Sequence, residues 1–129
     1  MITADQILCH LIGDYVLQSD WMANEKTKKS LAAILHACAY ACSFVFLRPT
    51  WPGLAFIIVS HFVIDRWRLA RFLVYVKNYL APKANWSPWQ DCSATGYHKD
   101  RPAWMAVWLL ILADNTLHLL CNGFAFKYL

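Results

Sequence analysis

At 129 residues the chain is long enough for one domain, and with 59% hydrophobic but only 16% charged side chains it is too apolar for an ordinary water-soluble one, which carries about 25% charged residues. Its net charge of +4 is modest, and the basic residues flank apolar stretches instead of forming a continuous patch, so a nucleic-acid partner is not expected. The surplus apolar surface needs a home, and a bilayer is the simplest one.

The first apolar segment, about residues 2–18, reads "ITADQILCHLIGDYVLQ". It is short and polar for a span, and Asp5, His10 and Asp14 interrupt it without a preceding basic region, so it does not read as a cleavable signal peptide. The second segment, 30–47, is long enough to cross a bilayer, and "RPTWPG" then marks a tight turn. A third begins near Gly53 and meets its first charges at Asp65 and Arg66. Its helical apolar period continues to Leu80 with Arg and Lys interleaved, which suits an amphipathic helix lying at the membrane interface. Residues 82–101 collect prolines and small polar residues and form the one real loop; a fourth segment, 102–126, opens on Pro102 at a plausible first helical position. The expected fold is therefore all-α: one integral membrane domain over 1–129, a four-helix bundle with an additional interfacial amphipathic helix after the third span. Five cysteines without a Cys-x-x-Cys pair read as small packing residues.

Basic residues set the expected orientation. Lys26, Lys28 and Lys29 lie between the first two segments, and Arg66, Arg68, Arg71, Lys77, Lys83, Lys99 and Arg101 between the last two, against Arg48 alone in the middle connection. The positive-inside rule then makes the first and third connections cytoplasmic, with both termini outside the cytoplasm.

Three of the acidic residues fall within or at the edge of these apolar segments, and each has a histidine four positions away: His10 with Asp14, His61 with Asp65, and Asp114 with His118. Positions i and i+4 share a helix face. The second segment adds His36. Ionisable groups in a membrane are costly and normally face the bundle interior. Converging, these seven side chains form a ligand set for one or two divalent metals such as zinc, manganese or iron. Gln18 and Asn115 are placed to orient ligands from behind. Arg66, Arg68 and Lys26 lie on the same membrane side and suit an anionic group such as a phosphate. His98, in the polar loop, reads as a surface or substrate-side residue and not as a ligand.

These motifs carry a resemblance. "HLIGDYVLQSDWMANEK" followed by "ILHACAY", "SHFVIDRWR" and "DNTLHLL" resembles a family of small polytopic membrane proteins of bacteria and tailed phages, domain of unknown function 3307. The resemblance covers the four helices and leaves the loop from Lys83 to Arg101 unmatched. It implies a bacterial inner-membrane location but no activity. The third family motif is often followed by a lysine, where this chain has Arg66 and Arg68. A looser likeness connects the spread of His and Asp over short spans with predicted metal-dependent membrane hydrolases.

The leading expectation is a metal-dependent hydrolase acting on a lipid or lipid-linked phosphoester near the cytoplasmic face, with Asp14 and Asp65 as the catalytic carboxylates. Membrane lipids are then its partners, and homo-oligomerisation stays open. Two other classes remain: a non-enzymatic membrane interaction protein, phage-encoded and acting on the host envelope, and a small ion- or proton-conducting protein. In both, the His–Asp pairs serve as interhelical hydrogen bonds or as a relay.

Overall fold

The computed structural model describes residues 2–129, which are helical with no strand among them. The chain divides into two units, one formed by Met1–Trp67 with Leu117–Leu129 and the other by Arg68–Thr116.

In the first unit, α1 (Ala4–Leu11) starts at Thr3, whose hydroxyl accepts from the Gln6 amide while the Gln6 side chain accepts from the Thr3 amide. This reciprocal capping box satisfies two donors that a helix start otherwise leaves open. The helix then widens into a π-turn, Ile12–Val16, closed by the Leu17 amide on the Ile12 carbonyl at 2.9 Å. Such turns are uncommon and concentrate at functional sites. Asp14 lies within it. Beside it, Gly13 permits a close approach: a Cβ there would fall 2.5 Å from Cδ2 and 3.1 Å from Cα of Tyr40.

Next comes α2 (Asp20–Glu25), a short helix absent from the sequence-based expectation, in which Ser19 accepts from the Met22 amide. Its signal is only a Ser N-cap, too little to mark six residues as helical. The turn that follows is braced by Glu25, which pairs with Lys29 at 2.8 Å and Lys28 at 3.4 Å. In α3 (Ser30–Cys42), Ala32, Ala33, Ala37 and Ala41 are buried, and small residues of this kind let helix backbones pack closely. Tyr40, Phe44 and Ile57 fill the core against Ala125. Leu31, Ile34, Leu35, Val59, Leu120 and Phe124 are exposed and give this unit an apolar outer surface.

The expected helix over 53–80 is two helices. α4 (Trp51–Trp67) ends where Arg68 takes a left-handed conformation (φ 53°), and α5 (Leu69–Lys77) starts beyond it. The apolar period runs through this point unchanged, because side-chain periodicity carries no mark of a single left-handed residue. In the second unit the 82–101 segment is ordered on α5. It contains α6 (Trp89–Cys92) and hangs from side chains of α5 and its flanks: Arg68 donates to the Ala94 carbonyl, Arg71 to Ser93 and Asn78 to Gly96. Gly96 is required there, with φ 86° and the Arg71 carbonyl 2.4 Å from where its Cβ would stand.

The last helix, α7 (Ala103–Tyr128), contributes to both units. Two stretches, Ser30–Leu47 and Ala103–Tyr128, are long and apolar enough to cross a membrane. The other two expected spans do not reach that length: α1 has 8 residues and α4 has 17. All five cysteines are free; Cys9 and Cys92 are buried and pack as expected, whereas Cys38 and Cys42 are exposed.

Gly13→Ala should destabilise the first unit by about 1–3 kcal/mol, because the overlap includes backbone that no rotamer change relieves. Gly53→Ala, whose Cβ would stand 3.1 Å from the Thr50 hydroxyl and at ordinary contact distance, 3.5 Å, from the Ala125 carbonyl oxygen, should change stability far less. Thermal unfolding of both variants in detergent checks the contrast.

Candidate metal centre

Four side chains from three elements of the chain meet inside the first unit. The π-turn supplies Asp14, α3 supplies His36, and α4 supplies His61 and Asp65, all buried. One ligand atom from each lies within 4.8 Å of all the others. The individual distances are tighter. His36 Nε2 is 3.0 Å from His61 Nε2 and 3.2 Å from both Asp14 Oδ1 and Asp65 Oδ2, while His61 Nε2 is 3.3 Å and 3.2 Å from those same oxygens. Four ligands held tetrahedrally at about 2.0–2.1 Å from a metal stand about 3.3–3.4 Å from one another. The five distances fit that figure to within a few tenths of an ångström.

Hydrogen bonding alone does not account for the arrangement. Asp14 Oδ1 is buried and makes no hydrogen bond of acceptable geometry, although the Nε2 atoms of His36 and His61 stand 3.2 and 3.3 Å away, and Asp65 Oδ2 is met by an ion pair with Lys26. Two imidazole Nε2 atoms facing each other can share one proton at most. Charge points the same way. The two carboxylates are met by one ammonium, Lys26, whose Nζ is 2.8 Å from Asp65 Oδ2 and 3.3 Å from His36 Nε2. One negative charge is left over, to be balanced by a cation or by a proton on an imidazole. The donor set, two imidazoles and two carboxylates, suits zinc, manganese or iron.

The outer histidines back this centre. His10 Nδ1 lies 3.4 Å from the other oxygen of Asp14, and His118 Nε2 lies 3.4 Å from the other oxygen of Asp65. Groups so placed orient a ligating carboxylate. The inner rings are fixed differently, by ring contacts. His61 stacks on Tyr40, with centroids 3.7 Å apart, and on His118, at 4.2 Å, and His36 meets His61 edge-on at 4.8 Å. The Nδ1 atoms of His36 and His61 are buried and make no hydrogen bond. Behind them, Asn122 donates to the Tyr40 hydroxyl at 2.6 Å, and that hydroxyl sits 2.9 Å from His10 Nδ1.

The other expected site residues are distributed as follows. Lys26 is at the centre itself. Arg66 is committed to the turn before α3, donating to the Thr27 carbonyl at 2.8 Å and the Ser30 hydroxyl at 3.3 Å. Arg68, Asp114 and Asn115 belong to the second unit, and Arg68 donates to the Ala94 carbonyl. Gln18 is in the first unit with its Oε1 buried and without a hydrogen bond. His98, in the second unit, faces Asp100 at 3.4 Å and Asp91 at 4.0 Å. Tyr40 and Asn122 were not anticipated, yet the signal was present: each stands four positions after a site histidine, in "HACAY" and "HLLCN".

This is a helical protein with a buried cluster of Asp and His that could hold a metal ion. A family model described as "Protein of unknown function (DUF3307)" matches residues 2–121, nearly the whole chain, and the chain belongs to that family. No curated protein and no solved structure matches it.

Tyr40→Phe should cost about 1–3 kcal/mol, because it leaves the Asn122 amide buried without its acceptor. Tyr40→Phe combined with Asn122→Leu should recover part of that loss. A double-mutant cycle on unfolding in detergent measures the coupling.

Proposed function

We propose that this chain is a multi-pass protein of the bacterial inner membrane whose centre binds one divalent transition metal and hydrolyses a phosphoester of a lipid or lipid-linked substrate. The convergence of His36, His61, Asp14 and Asp65 on one point carries this reading. The apolar outer surface of the first unit and the two membrane-length stretches support the location. We place α1 and α4 in the membrane beside them, shielded by the longer helices, with both termini outside the cytoplasm as the lysine and arginine distribution directs.

In this reading His36, His61, Asp14 and Asp65 hold the metal. When bound, a divalent ion lowers the pKa of a water ligand and polarises a phosphoryl oxygen. A catalytic role would need one of the two carboxylates to serve as the base while the remaining residues would hold the metal. Asp14 is suited to that role, because it sits in the π-turn and its second oxygen faces His10, which can receive the proton. Lys26, beside Asp65 and His36, supplies the positive charge that holds an incoming phosphate.

One observation favours a second reading. The Lys26–Asp65 pair already places a cation in the cluster, so the same residues can act as a polar lock between helices in a non-catalytic membrane protein.

Metal content of detergent-purified protein separates the two. About one equivalent of zinc, manganese or iron per chain is expected, lost in His36→Ala and His61→Ala and retained in His98→Ala. His10→Ala and His118→Ala should weaken metal binding by about 10–100-fold without abolishing it. A wild type that stays folded and monodisperse but takes up none of the three metals would overturn the metal reading in favour of the lock. Bound metal without phosphate release from short-chain lipid phosphomonoesters or phosphodiesters would overturn the hydrolase reading alone.

A further inference from the structure

The second unit encloses a cavity of about 420 Å³ between α5, the start of α7 and the 82–101 segment. Its size is typical of a small-molecule site. Tyr75, Tyr79, Trp86 and Tyr97 give it an aromatic wall, and its lining includes Lys77 and Arg101 but no Asp or Glu.

The wall is ordered by its own contacts. Tyr75 and Tyr79 share a hydroxyl hydrogen bond at 2.9 Å, and Tyr75 also donates to the Ser87 carbonyl at 3.1 Å. Trp86 packs edge-on to Tyr79 with centroids 4.7 Å apart and donates its ring N–H to the Ala81 carbonyl at 2.8 Å. Tyr75, Tyr79 and Trp86 therefore spend their polar atoms on the protein and keep their apolar surface for the cavity.

The charges are sorted in the same direction. Nearby Asp91 is taken by Lys99 at 2.8 Å, a hydrogen bond that holds its carboxyl below the usual carboxylate range. Asp100 faces His98. Lys77 and Arg101 have no carboxylate partner among the described residues; the Lys77 ammonium lies over the Tyr97 ring, 5.0 Å from its centroid. An aromatic pocket without these two residues would suit a quaternary ammonium. With them it repels cations and favours an anion that also carries an apolar body.

We propose that this cavity binds a phosphate-bearing amphiphile, with the phosphate held by Lys77 and Arg101 and the apolar portion against Tyr75, Tyr79, Trp86 and Tyr97. Guanidinium and ammonium groups are the usual partners of phosphate oxygens, and charge-assisted hydrogen bonds to them are stronger than neutral ones. The site lies wholly within the second unit, uses none of the metal ligands, and stands whether or not the first unit binds a metal.

Calorimetric titration of the full chain in detergent tests it, with dioctanoyl phosphatidic acid as the probe. Dioctanoylglycerol and inorganic phosphate serve as separate arms for the apolar body and the free anion. Saturable binding of the phosphatidic acid to wild type is expected, with an affinity at least about tenfold lower in the Lys77→Ala/Arg101→Ala double variant. Lys77 and Arg101 are exposed, so the double variant should keep its helix content, which circular dichroism verifies. Tyr79→Ala should weaken binding with both charges in place. Equal affinity in wild type and double variant would overturn the proposal, as would equally tight binding of dioctanoylglycerol. Inorganic phosphate binding as tightly as the amphiphile would overturn it too, because the aromatic wall would then contribute nothing.

Discussion

Two carboxylates and four imidazoles are buried together in a unit that is otherwise apolar, and the local structure around them follows from what that burial demands. An isolated ionised carboxylate taken out of water costs several kcal/mol unless its oxygens are met by donors or cations. Asp14 and Asp65 meet this requirement in the same way. One oxygen of each faces the inner pair, His36 and His61, and the other faces an outer histidine, His10 or His118. Lys26 adds a positive charge to the cluster. The π-turn, Gly13 and the alanines of α3 are intelligible as the means of bringing these groups close enough. Each removes bulk or rotates a side chain where an ordinary helix contact would hold them apart.

Tyr40 links this polar cluster to the packing. Its ring stacks on His61 and leans on Phe44, while its hydroxyl joins Asn122 to His10. One residue thus fixes a ligand ring by dispersion and a second ring by hydrogen bonding. An imidazole held only by hydrogen bonds needs a partner at Nδ1, and His61 has none. Stacking on Tyr40 and His118 takes over that positioning task. The second unit reverses the chemistry. There Asp91 pairs with Lys99, Asp100 faces His98, and the Lys77 ammonium lies over the Tyr97 ring.

Much of the site was legible because helical spacing is regular. His10 with Asp14 and His61 with Asp65 each fall four residues apart, and the structure places each pair together at the cluster, with lone His36 between them. Of the third pair, His118 reaches the cluster within the first unit, and Asp114 falls in the second unit. Tyr40 and Asn122 obey the same spacing, but neither is a usual metal ligand, so the spacing alone does not mark them. Lys26 was read as a substrate contact from its position between segments; its pairing with Asp65 depends on how α2 and the turn after it fold back.

The helical class, the apolar character and the histidines and aspartates that stand four apart in apolar segments were legible in the sequence alone, because they rest on composition and on the 3.6-residue period that every helix shares. Tertiary structure decided what has no local code. It widened the turn at Asp14, broke the third helix at Arg68, sent Arg66 to a turn and Lys26 to the centre, and folded the 82–101 segment into a wall. Each of these depends on a contact between residues far apart in the chain, and periodicity describes only neighbours within a turn or two.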